Sequence, residues 1–536
     1  MNELVAPGLP PQSPIALKGY GVIEFGEDDQ GARSPPARRS YVAVAVLCYL
    51  NLVNYMDWFL VPGVLQHVQT YFKLRDSSAG LLHTVFIICF LVAAPLFGYL
   101  GDRYNRKIIL SAGIILWSGV TLASSFIPEW MPWLFFISRG LVGAGTASYS
   151  TIAPTIIADL FEKDRRTCML SLFYIFIPVG SGLGYILTSG MALATGHWNW
   201  GFRVTPCMGA VGLAFLIFLV PESSWHGAVE PAADKVRGDS TWLKDISSLC
   251  KNWSFLWSSL GVTAMSFVVG ALGFWVPVFL SRAQLIHDAI PPCQQEGSCD
   301  TSNSQIFGGI TIATGIFGVI VGAEAARRFK KTNATADPLI CAVGLLTSSP
   351  SMYLAIMLAQ ESIIATYVFI ALGEFLLSLN WAIVTDILLY VVKPTCQSTA
   401  LSVQIFVSHL FGDAGSPYLI GIISSEIQKR QAGASSYLAS FRSLQYSFVL
   451  CCFVGALGGG CFLLTALRIK EDRLEAASPP PPPVKVQAQQ RVKSRKKPRD
   501  AARIKAQGEE HQGSETRPGI QIRSWELRLH RSVKLF

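Results

Sequence analysis

Hydrophobic residues along this 536-residue chain gather into twelve long runs separated by short polar breaks. Their approximate limits are 41–66, 78–100, 108–127, 132–158, 168–193, 202–220, 255–280, 305–326, 338–358, 362–391, 399–425 and 443–467. A helix needs about 20 apolar residues to cross a hydrocarbon core about 30 Å thick. Alternation of period two is almost absent, so the pattern predicts an all-α membrane protein with twelve transmembrane helices. A polar linker at 222–252 divides them into two six-helix halves, 41–221 and 253–468. The flanks, 1–40 and 469–536, are predicted to be disordered. Residues 1–40 are polar and rich in Pro and Gly, with no apolar core before a cleavage site, so the first helix is expected to act as a signal anchor.

The polar breaks alternate in charge. Arg38 and Arg39 precede the first run, Arg103, Arg106 and Lys107 follow the second, Lys163, Arg165 and Arg166 follow the fourth, and Arg327, Arg328, Lys330 and Lys331 follow the eighth. The intervening loops 128–131 and 194–201 carry no Lys or Arg. Excess Lys and Arg marks cytoplasmic loops, which puts both termini in the cytoplasm. Lys429, Arg430 and Arg442, in the last outer loop, run against the trend. The sequons at Asn252 and Asn333 fall in predicted cytoplasmic loops and are expected to carry no glycan. Whether the membrane is the plasma membrane or an endolysosomal one stays open.

The same grammar repeats between the halves. Gly98 precedes Arg103 by five residues, and Gly322 precedes Arg327 by five. Asp159 is followed by Thr167 and Cys168, and Asp386 by Thr395 and Cys396. Parallel repeats of this kind belong to alternating-access carriers. Only 15% of the chain is charged, against about 25% in soluble domains. Residues 484–536 hold 14 Lys/Arg against 5 Asp/Glu, which accounts for the whole formal charge of +9. This tail is a candidate for contact with anionic inner-leaflet lipids. Nucleic acid is not an expected partner, and a monomer is.

Ionisable groups within lipid are costly and usually face a cavity or each other. Asp57 in the first run and Arg139 in the fourth lie at equal depth, roughly 10–14 Å below the outer surface at about 1.5 Å per residue, so a salt bridge is expected. Glu374 in the tenth run and His409 in the eleventh also match in depth and are expected to pair, with Asp413 one turn beyond His409. Arg203 is expected to snorkel to the outer interface. In the loop GYLGDRYNRK, Gly98–Lys107, Asp102 is expected to face a helix N-terminus. Arg103 and Arg106, beside Lys107, are expected to meet acidic helix ends such as Asp159, forming a cytoplasmic gate. Most of the twelve cysteines lie inside apolar runs. Cys293 and Cys299, in the long outer loop, are candidates for a disulfide. No zinc-like Cys/His spacing occurs, and neither metal nor cofactor is expected.

GYLGDRYNRK resembles the signature loop of the major facilitator superfamily. Ser138–Phe161, Tyr174–Tyr185 and Gly412–Gly421 resemble the spinster-homolog lipid transporters, and the likeness covers residues 41–468. The resemblance implies the superfamily fold and export of lysolipids, such as sphingosine-1-phosphate or lysophospholipids, by alternating access. In proton-coupled members the first helix carries an Asp-Arg pair and the fourth a Glu in its glycine-rich stretch. Here Asp57 matches the Asp, Trp58 stands at the Arg position and Thr146 at the Glu position. Two of three coupling positions therefore depart from the pattern, which puts proton coupling in question.

Tyr55, Trp58, Tyr149, Phe274, Trp275 and Trp381 are candidates to line a path for an acyl chain, and Arg139 to meet an anionic head group. Two other functions stay open: a proton-linked carrier of small polar metabolites using Asp57, Glu374 and His409, and a non-transporting scaffold. No acyltransferase or hydrolase constellation emerges, so an enzyme is not expected.

Overall fold

The computed structural model describes residues 38–161, 163–220, 242–287, 301–393, 396–431 and 436–477. These are helical with short connections, and no strand occurs among them. The first half comprises α1 (Arg38–Trp58) with its short continuations α2 (Leu60–Gly63) and α3 (Leu65–Tyr71), then α4 (Asp76–Arg103), α5 (Arg106–Ser124), α6 (Pro132–Leu160), α7 (Lys163–Thr195) and α8 (Gly201–Leu219). A short linker helix, α9 (Trp242–Leu249), precedes the second half. That half comprises α10 (Trp253–Ile286), α11 (Ser302–Phe329), α12 (Ala336–Leu358), α13 (Ile363–Ser378), α14 (Asn380–Val391), α15 (Gln397–Ser408), α16 (Ser416–Arg430) and α17 (Ser436–Ala477). A π-helical turn, His409–Asp413, joins α15 to α16.

Helix starts follow local chemistry. The Asn105 side chain accepts from Lys107 N and opens α5. Asn252 accepts from Phe255 N and opens α10. Each satisfies one of the amides a helix start leaves bare. Pro132 occupies the first turn of α6, where its missing N–H costs nothing.

Nine described helices or helix pairs are long and apolar enough to cross a membrane. Three further rods reach the expected twelve but fall short on that measure: α1, α6, and α15 with α16. These rods carry Asp57, Arg139, and His409 with Asp413. Glu374, by contrast, lies on α13, within a span that meets the measure.

The last helix extends to Ala477, past the expected boundary at 468. Two contacts hold the extension. Asp472 Oδ2 accepts from Ser254 N at the start of α10, at 2.8 Å. The Arg473 guanidinium stacks 5.1 Å from the Tyr390 ring centre.

Packing is asymmetric along the membrane normal. One core, around Phe86, Trp117 and Tyr149, lies in the first half and takes in Ala414 of the second. A larger one runs through the second half and continues into the first through Leu60, Val64, Phe72, Phe135 and Trp198. Those five lie at the end away from the basic loops.

Candidate substrate pathway

Asp57 sits at the end of α1, fully buried. Thr121 of α5 and Thr205 of α8 each donate to one of its carboxylate oxygens, at 3.3 Å. Arg139 is 3% exposed, and its guanidinium lies 5.2 Å from the centre of the Phe86 ring. Its Nη1 has no hydrogen-bond partner. The expected Asp57–Arg139 salt bridge is therefore not formed. Equal depth brings the groups to one level, but the threonines hold the carboxylate while the cation lies over an aromatic face. Trp58 packs edge-on against Phe86 and Phe90, at 4.8 and 5.4 Å between ring centres. Thr146 is fully buried, with its hydroxyl unpartnered.

The second expected pair is also replaced. Glu374 accepts from Thr314 at 3.1 Å and from Thr311 at 3.3 Å, both on α11. His409 Nδ1 instead meets the Asp413 carboxylate at 2.8 Å across the π turn. Four residues along one helix already place the two side chains as neighbours, so the local acid outcompetes the one on another helix. The π turn packs tightly: a Cβ on Gly270 would lie 2.5 Å from Asp413 Cα. It also reaches the first half, where Thr84 Oγ1 donates to Ala414 O at 2.5 Å and the Phe90 and His409 rings lie 6.1 Å apart. His83, 9% exposed, sits between Phe86 and Phe274 at this junction. The sequence reading passed over it because one histidine in an apolar run carries no partner signal.

Among the described residues, the hydrogen bonds and the ion pair between the halves lie from the middle of the rods to the end away from the basic loops. Tyr185 donates its hydroxyl to Gly273 O, and Thr301 donates to Ser189 O at 3.0 Å. At the extreme end Arg282 of α10 grips Asp76 of α4 through Nη1 and Nη2, at 2.9 and 2.6 Å. Ser424 donates to the same carboxylate at 2.6 Å and Gln69 at 2.9 Å. Asp76 is 4% exposed and Arg282 is 12% exposed. Backbones touch there too, since a Cβ on Gly80 would lie 2.3 Å from Pro417 O.

At the basic end the charges stay within each half. Arg106 pairs with Asp159, as its position suggested. Lys107 donates to the carbonyls of Ile217 and Val220, at 2.9 and 2.7 Å, closing the end of α8. Arg103 lies 4.6 Å from the Tyr99 ring centre. The Asp102 side chain is outside the described residues, and a Cβ on Gly98 would meet nothing within 4 Å. The second half repeats the device. Lys330 meets Asp337 at 2.8 Å and Asp386 at 3.8 Å, while Arg327 and Arg328 pair with Glu324.

Tyr149, Phe274 and Trp275 are buried, Tyr149 donating to Leu47 O and Trp275 to Pro417 O. Trp381 is 48% exposed. Arg203 lies over Phe126 and Trp200 and donates to Ser125 Oγ at 3.2 Å. Cys293 and Cys299 lie outside the described residues. Among the described residues no cluster of His, Cys, Asp or Glu could hold a metal ion.

Residues 47–416 match the Major Facilitator Superfamily model. The chain belongs to that superfamily. Within it the chain belongs to the spinster homologs: it is 58% identical to protein spinster homolog 3 of Mus musculus over 83% of this chain and 86% of that one. It is 54% identical to protein spinster homolog 1 of Homo sapiens, covering 82% and 83%. Among solved structures, it is similar to a bacterial homolog of the human lysosomal transporter spinster, in an inward-facing and occupied conformation. The TM-score is 0.66 at 19% identity, over 83% of this chain and all of the other, a likeness of fold. The protein is thus a multi-pass membrane transporter.

Proposed function

We propose that this transporter carries anionic lysolipids or phosphorylated sphingolipids by alternating access. The observation that carries the reading is Arg139, buried beside Phe86 with one guanidinium nitrogen unpartnered. Asp57 acts on Arg139 electrostatically but forms no salt bridge with it, so a buried N–H is left without an acceptor, and a phosphate or carboxylate head group would supply one. Both termini face the cytoplasm, in keeping with the Lys and Arg asymmetry of the loops. The outer end is then the one held closed, by Asp76 with Arg282. The loop residues Gly98, Arg103, Arg106 and Lys107, with Asp159, guide closure of the cytoplasmic side. With Trp58 and Thr146 at two of the coupling positions, transport follows the lipid gradient and Asp57 serves a structural role beside Thr121 and Thr205.

Proteoliposomes loaded with a panel of radiolabelled lysolipids test this. Arg139→Gln is expected to reduce flux of anionic lysolipids by more than tenfold, with the variant still folded. An imposed pH gradient is expected to leave the parent's rate unchanged. Equal flux in Arg139→Gln, or a preference for neutral solutes, would overturn the substrate assignment.

A further inference from the structure

A cavity of about 70 Å³ opens at the basic end of the second half, away from the pathway. Three separate segments build it: the joint between α9 and α10, with Ser248, Lys251 and Asn252; the end of α14 and the turn after it, with Val391 and Lys393; and the α17 extension, with Asp472.

The frame is internally satisfied. Asn252 caps α10 with its carbonyl and donates its amide to Val391 O at 2.8 Å, and Asp472 accepts from Ser254 N. The two lysines are not. Lys251 and Lys393 are exposed, and neither has an ion-pair partner among the described residues. Arg106, Lys107 and Lys330 at the same end are all engaged. Of the charged residues lining the cavity, the two lysines outnumber the single acid, Asp472.

Depth and lining point to a lipid. Trp253, 55% exposed, stacks with Trp257 at 6.4 Å next to the cavity. Exposed indoles of this kind sit at head-group level. Leu249, Val391 and Val392 give the cavity an apolar side, which a glycerol backbone would cover and free phosphate would leave wet. We propose that this cavity binds the phosphate-bearing head group of an anionic phospholipid of the adjoining leaflet. Lys251 and Lys393 contact the phosphate as point charges. The site is separate from the transport path and stands whatever the transported substrate is.

The test uses the full chain in phosphatidylcholine nanodiscs, with phosphatidylinositol 4-phosphate added and bound lipid counted by native mass spectrometry. Lys251→Gln with Lys393→Gln is expected to weaken binding about thirtyfold, at the contribution usual for two interfacial basic residues. Lys251→Arg with Lys393→Arg should retain it. A full chain with Arg491, Lys493, Arg495, Lys496 and Lys497 changed to Gln should bind as the parent does, separating the cavity from the basic tail. Inorganic phosphate should compete only weakly. Parental binding by the double Gln variant overturns the proposal. So does loss confined to the tail variant, or competition by inorganic phosphate as strong as by lipid.

Discussion

The two ends of the seam between the halves use charge in opposite ways. Away from the basic loops, one buried and bidentate pair, Asp76 with Arg282, joins α4 to α10 across the seam. At the basic end Arg106 with Asp159, and Lys330 with Asp337, each tie helices of a single half together. The first arrangement must break for the halves to part there. The second can persist through any rigid-body motion. One end is a lock and the other a pair of stiffeners.

Breaking the lock should have the largest effect. Arg282→Ala leaves Asp76 buried without its counter-charge, which typically costs about 3–5 kcal/mol. A clear drop in thermal stability and faster cysteine labelling at that end are expected. Asp76→Asn with Arg282→Gln should restore much of the stability while the end stays easier to open. A single variant as stable and as sealed as the parent would remove the lock from the account.

Gly182→Ala sharpens the comparison from the middle of the seam. Its Cβ would fall 2.4 Å from Gly308 O on the other half. Overpacking of this kind costs about 1–3 kcal/mol, and crosslinking between α7 and α11 should report the separation. An unchanged melting temperature and crosslink would mean the backbones have room to yield.

At the basic end the expected effects on stability are smaller. Arg106→Ala removes a pair whose acid, Asp159, is 55% exposed. Such pairs contribute about 0–1 kcal/mol, so transport rate should change more than stability. Gly98→Ala should be the mildest. Nothing lies within 4 Å of its Cβ, and alanine favours helix by about 1 kcal/mol. If flux falls while stability holds, Gly98 is needed where the halves close, and unchanged flux would exclude it from the gate.

The helical rods were legible because hydropathy reports length and lipid exposure directly. Asp57, Arg139 and His409 stood out for the same reason, each a polar side chain in an apolar run. Their partners did not. Depth along a rod is readable from counting residues, but which way a side chain faces around the rod depends on packing. That is why Thr121 and Thr205, not Arg139, hold Asp57, and why Asp413 takes His409 from Glu374. Arg106 with Asp159 was readable because both lie in one short polar zone at the same end. The Asp76–Arg282 lock joins residues 206 positions apart, and no local pattern announces it.

Pulsed electron spin distances between the halves report whether the two ends open independently. One label pair would replace Arg166 and Lys331 at the basic end, and another Lys73 and His287 at the opposite end. In lipid nanodiscs the account predicts a broad or two-peaked distance at the basic end and a single short one at the other. Asp76→Asn with Arg282→Gln should exchange the two patterns in part of the population. Distances that stay single and fixed at both ends, in parent and variant alike and with or without lysolipid, would contradict it.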